Sequence, residues 1–171
     1  GLGIETETVT SVQEALDEGI FVIAAAGNTG ADSSDVSVPA NIEGVIAVGA
    51  YRSSGTIWSD SASGSDIDPY TGQSREYPHQ KPEIIAPGVN IFSTASTELD
   101  PPYAYSSGTS DSTVFVTGAL ALILEQFGDE IAGEDGKIDS EEMAMVKRAL
   151  ANSANQESSS VGNHSSRLGY G

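Results

Sequence analysis

The sequence predicts an α/β layered domain built around a mainly parallel sheet. Two continuous apolar runs carry this reading, Ile20 to Ala26 and Val45 to Ala50, because strands of a parallel sheet are covered on both faces and lose the polar–apolar alternation of half-exposed strands. They alternate with segments of helical periodicity, and strand–helix alternation marks this class.

The elements follow in order. Val9, Val12, Ala15 and Leu16 recur at helical spacing and predict a helix over Val9 to Glu18, stopped by Gly19. The two apolar runs are strands. Ile84-Ile85 and Ile91-Phe92 predict two shorter strands, and Ser110 to Phe127 and Glu141 to Ala151 predict helices. The first of these, apolar from Val114 to Leu124, reads as a buried helix. Between Ser59 and Gln80 the chain turns polar, with Pro69, Gly72 and Pro78 among charged residues, and reads as a surface loop.

At 171 residues the chain is long enough for one substantial core. Acidic residues number 25 against 7 basic ones, a net charge of −18. The acids are spread along the chain, which predicts an acidic folded surface rather than a disordered tail. Such a balance argues against nucleic acid or an anionic membrane as partner, since phosphate binding needs clustered Lys and Arg. It also predicts a protein that works in high salt, where a Debye length of about 3 Å at 1 M screens self-repulsion. The absence of cysteine excludes disulfides, thiol catalysis and Cys-ligated zinc. No apolar run reaches the length of a membrane span.

Two polar positions stand where chemistry is expected. Ser110 follows Gly108-Thr109 at the mouth of a helix, where first-turn N–H groups lack partners and the helix dipole favours negative charge. The same position suits a serine that merely caps the helix. Asn28 is the first polar side chain after Ala24-Ala25-Ala26-Gly27, at the carboxyl edge of a strand where α/β folds bind ligands. Its amide is suited to donating to developing negative charge, and equally to shaping a turn. The Gly-x-Ser-x-Gly elbow is absent, because Ser112 takes the place of its second glycine.

Ala24 to Asn28, then Val45 to Ala50, then Lys81 to Gly88, then Gly108-Thr109-Ser110 with Gly118, resemble in order and spacing the C-terminal half of the subtilisin-like serine peptidases. The resemblance implies a three-layer, doubly wound fold, with residues 1–171 forming the C-terminal part of one peptidase domain and its N-terminal half missing. It implies Ser110 as nucleophile and Asn28 as oxyanion donor with the Ser110 N–H. Leu2 and Gly3 would line the substrate cleft, and Ala25, Ala26 and Gly27 would wall the pocket for the residue before the scissile bond. It further implies peptide or protein substrates, a secreted monomer, and no cofactor for the chemistry.

The family's catalytic Asp and His would lie upstream, so this chain alone is expected to be inactive. His79 and His164 lack the family's His-Gly-Thr context and are read as surface residues. After Ser110, Asp111 to Phe115 depart from the usual pattern, and Asp111 would oppose an oxyanion nearby. A structural calcium fits the resemblance, but its site is unassigned: Arg52 stands where some relatives place an acidic ligand. Asp66 and Asp68 are able to bind a cation, but in so acidic a chain they read as a solvated loop. The run from Asp135 to Glu142 fails as an EF-hand, because Ile131 and Gly133 would occupy ligand positions.

Overall fold

The computed structural model describes residues 2–133, 136–154 and 163–171, with side chains from residue 6 onward. In chain order it comprises α1 (Leu2–Asp17), β1 (Ile23–Ala25), β2 (Ile46–Tyr51), β3 (Ile84–Pro87), β4 (Ile91–Thr94), β5 (Tyr103–Ser106), α2 (Thr109–Ile131) and α3 (Ser140–Ser153). The predicted α/β class holds. Strands β1, β2 and β3 form a parallel sheet with β2 central, in register Ala24 to Ala47 and Ala50 to Ala86.

Alternation along β2 divides the core. Ala47 packs with Leu16, Ala24, Ala26 and Met143, with Val9 and Val12 of α1 against them. Ile46 and Val48, whose side chains leave the opposite face of the strand, pack with Val116 and Leu120 of α2 and Val146 of α3. The sheet therefore lies between α1 on one face and α2 on the other, with α3 contributing to both clusters.

Helix α1 starts seven residues before the predicted Val9. Elongation adds a hydrogen bond for each residue fixed, and the exposed Thr6 and Glu7 interrupt the apolar spacing ahead of Val9. Its end is as expected: Gly19 has φ +78°, and the N–H groups of Gly19 and Ile20 donate back to the carbonyls of Leu16 and Ala15. Of the run from Ile20 only residues 23–25 form β1, and Ile20 is exposed.

The buried-helix expectation for α2 fails on one face. Thr109, Ser112, Val116 and Leu120 are buried, whereas Val114, Phe115 and Leu122 are exposed, because a sheet covers only one side of a helix. Strand β5 was not predicted; it pairs antiparallel with β4, bringing Phe92 against Tyr103 and Tyr105.

The polar segment 59–80 contains no helix or named strand, but it is not a surface loop throughout. Ser61, Ala62, Ser63, Asp68 and Arg75 are buried. Arg75 ties it down: its guanidinium pairs with Asp35 at 2.9 Å and donates to the Asn41 carbonyl at 2.7 Å. Asp139 starts α3 by a reciprocal cap with Glu142. Asp135 lies outside the described residues.

Candidate active site

The ends of two strands clamp the first turn of α2. The Ala26 N–H donates to the Val48 carbonyl, prolonging the β1–β2 pairing, and Gly27 then turns the chain at φ +113°, a conformation other residues seldom adopt. Its N–H donates to Thr109 Oγ1 at 3.1 Å. Past the end of β3, the Gly88 carbonyl accepts from the Gly108 N–H at 2.8 Å, and Ser112 Oγ donates to the Ala86 carbonyl at 3.0 Å. A Cβ at Gly88 would fall 2.1 Å from Ser112 Oγ, so only glycine allows this approach.

Asn28 is held within this clamp. Its Oδ1 accepts from Thr109 N at 3.0 Å and from Thr109 Oγ1 at 2.9 Å. With both donors on Oδ1, the Nδ2 group points away from them. Gly108, not Ser110, is the N-cap of α2, and the Thr109 N–H at this end goes to Asn28 Oδ1. Ser110 is the second residue of the helix and exposed. Among the described residues neither its N–H nor its hydroxyl makes a hydrogen bond.

Gly108 leaves a space beside these donors. The point its missing Cβ would occupy is 3.5 Å from Asn28 Nδ2 and 3.7 Å from Ser110 N. Two N–H groups, one of them in the first turn of a helix, thus approach one point left free by the missing side chain, an arrangement suited to binding negative charge. Asp111 Oδ2 lies 3.5 Å from the same point and accepts from Ser106 Oγ at 3.0 Å.

Leu2 and Gly3 lie in the first turn of α1, where only the backbone is described. Ala25 and Gly27 are half-buried beside Asn28, while Ala26 is wholly buried in the core. Sequence reasoning passed over Thr109. Its place between Gly108 and Ser110 was the available signal; its contacts with Asn28 come from the far side of the fold.

Both histidines are half-buried rather than fully exposed. His79 Nδ1 contacts Lys147 Nζ at 3.0 Å and the Glu43 carbonyl at 3.2 Å. Burial, then the Lys147 charge, lowers its pKa to about 4. His164 lies between the Pro82 carbonyl and Asp66, and burial lowers its pKa as well. Neither contacts Ser110.

His79 borders a buried ionic cluster in which Glu83 Oε1 accepts from Lys81 at 2.8 Å and from Lys147 at 2.7 Å, while Glu83 Oε2 takes the Ala47 N–H. Burial lowers the Lys81 pKa to about 7 against the opposing pull of Glu83.

Asp66 and Asp68 turn to different partners. Asp68 is buried rather than solvated and its Oδ1 accepts from the N–H groups of Tyr70 and Thr71, whereas Asp66 turns to His164. No group of three or more His, Asp or Glu side chains is gathered for a metal among the described residues. No helix among them is long and apolar enough to cross a membrane.

A family model described as the subtilase family matches residues 3–171. Serine protease AprX of Bacillus subtilis (strain 168) is 39% identical over 139 residues, covering 73% of this chain and 30% of that protein. Subtilisin J of Geobacillus stearothermophilus is 40% identical over 123 residues, 71% of this chain and 28% of that protein. Among solved structures, the prenylagaramide maturation protease PagA superposes with a TM-score of 0.67 at 28% identity, covering 95% of this chain and 50% of that one. The chain thus spans under a third of these curated relatives and half of this solved one.

Proposed function

The chain belongs to the subtilase family, and on that premise we propose that it is the C-terminal part of a serine endopeptidase domain that hydrolyses peptide bonds through an acyl-enzyme on Ser110. The observation that carries the reading is the pair of donors, Asn28 Nδ2 and Ser110 N, that approach the point left by the missing side chain of Gly108. In this reading Ser110 Oγ attacks the scissile carbonyl carbon and gives its proton to a base. The carbonyl oxygen becomes an oxyanion bound by the two donors, and the amine departs with the proton. Water then attacks the ester, releasing the acid and restoring the Ser110 hydroxyl.

The base and its orienting carboxylate come from the domain's upstream half, since both histidines here are engaged elsewhere. Leu2, Gly3, Ala25 and Gly27 border the substrate, with Ala26 supporting them from the core. The protein is a secreted, salt-adapted monomer that needs no cofactor for the chemistry. A second reading, a subtilase fold that binds peptides without cleaving them, is favoured by one observation: the Asp111 carboxylate beside the donors.

A fluorophosphonate probe separates the two. The full-length protein is expected to be labelled at Ser110, mapped by peptide mass, and the isolated 171-residue chain is not. Full-length protein that folds, carries upstream Asp-Thr-Gly and His-Gly-Thr blocks and still resists labelling would establish the binding reading instead.

A further inference from the structure

Asp111 is a carboxylate placed at the proposed reaction centre with no cationic side chain paired to it among the described residues. It follows Ser110 directly, its Oδ2 lies 3.5 Å from the open point at Gly108, and it takes part in no ion pair among the described residues. Its hydrogen-bond partner is neutral, the hydroxyl of Ser106 on β5.

The position of Asp111 relative to the strands indicates which part of a substrate it meets. Ala25 ends β1 and Gly27 and Asn28 follow it, whereas Asp111 turns to the β4–β5 hairpin. It lines one end of a cavity of about 390 Å³ whose other walls include Ile91, Phe92, Ser93, Val114 and Phe115. If the acyl portion lies along β1, as proposed above, the departing amine lies toward the hairpin, facing Asp111.

We infer that Asp111 selects a basic residue, Lys or Arg, on the leaving-group side of the scissile bond. This rests on the peptidase reading and deepens it. A free carboxylate among apolar walls matches a side chain with an alkyl stem and a cationic head. The incoming cation also neutralises the charge that otherwise opposes the oxyanion, so the acid costs least when the preferred substrate is bound. An acidic residue in the same place meets like charge and is rejected.

The test uses the full-length enzyme and peptides that differ only in the first residue after the cleaved bond: Lys, Arg, Leu or Glu. Partition of one acyl-enzyme between water and Arg, Leu or Glu amides reads the same subsite independently of acyl-side binding. There the amine attacks the ester, Ser110 Oγ departs, and the amine's proton returns to it. Lys and Arg should exceed Leu in kcat/KM by about fivefold, near the upper end for a partly exposed charge pair, with Glu below Leu. The preference should shrink to within about twofold in Asp111→Asn and invert in Asp111→Lys. Turnover with the same order of substrates in all three proteins would overturn the inference while leaving the peptidase reading standing. No turnover of any peptide, together with no fluorophosphonate labelling, would sink that reading and this inference with it.

Discussion

Thr109 grips the Asn28 carboxamide twice, donating to Oδ1 from its backbone at 3.0 Å and from its hydroxyl at 2.9 Å, across 81 residues of sequence. The same hydroxyl accepts the Gly27 N–H. Because both donors bind Oδ1, they decide which end of the amide faces the space at Gly108.

Thr109→Val should therefore lower kcat of the full-length enzyme by about tenfold with little change in KM, while Thr109→Ser retains most of the activity. The lost hydroxyl bond contributes about 1 kcal/mol, and its loss frees the amide to rotate. Steady-state peptide hydrolysis measures it. Equal loss in the Ser variant would assign Thr109 a packing role.

Asn28→Leu keeps the branched skeleton and removes the side-chain donor together with the oxygen that holds the two Thr109 donors. It should lower kcat by roughly 10²–10³ at nearly constant KM, a magnitude carried over from a subtilisin rather than calculated from this geometry. A folded variant with unchanged kcat would remove Asn28 from the reaction.

Glu83→Gln leaves two buried ammonium groups without their shared carboxylate. It should destabilise the protein by about 3–5 kcal/mol, read from urea unfolding. A loss below about 1 kcal/mol would show that water or another acid reaches the lysines.

Acid should weaken the fold through His79. Its folded pKa of about 4 lies below the ordinary 6.5, so between these values the unfolded chain binds more protons. The His79 contribution is complete above about pH 6.5 and is lost as pH falls toward 4. In His79→Gln the decline over that window should be shallower than in the parent, by urea melts at stepped pH. Parallel profiles would exclude His79 as a contributor.

Salt should stabilise the full-length protein, since the −18 charge of this segment repels itself when unscreened. The midpoint of thermal unfolding should rise between about 0.2 M and 3 M sodium chloride. A flat or falling midpoint would count against salt adaptation.

The α/β class, the central strand β2 and the glycine that ends α1 were legible in the sequence, because apolar runs, helical spacing and a glycine stop are local properties of the chain. Ser110 and Asn28 stood out for the same reason: each is a polar residue at the edge of an apolar element. Hydropathy did not show which side of α2 would be covered, since Val114 and Val116 are equally apolar and only the second meets the sheet. Nor did it show that Lys147 would reach the buried Glu83 carboxylate, or that Thr109 would orient Asn28. Those relationships join residues 64 to 81 positions apart in sequence, and nothing local to either partner specifies them until parallel strand pairing brings the strand ends and helices together.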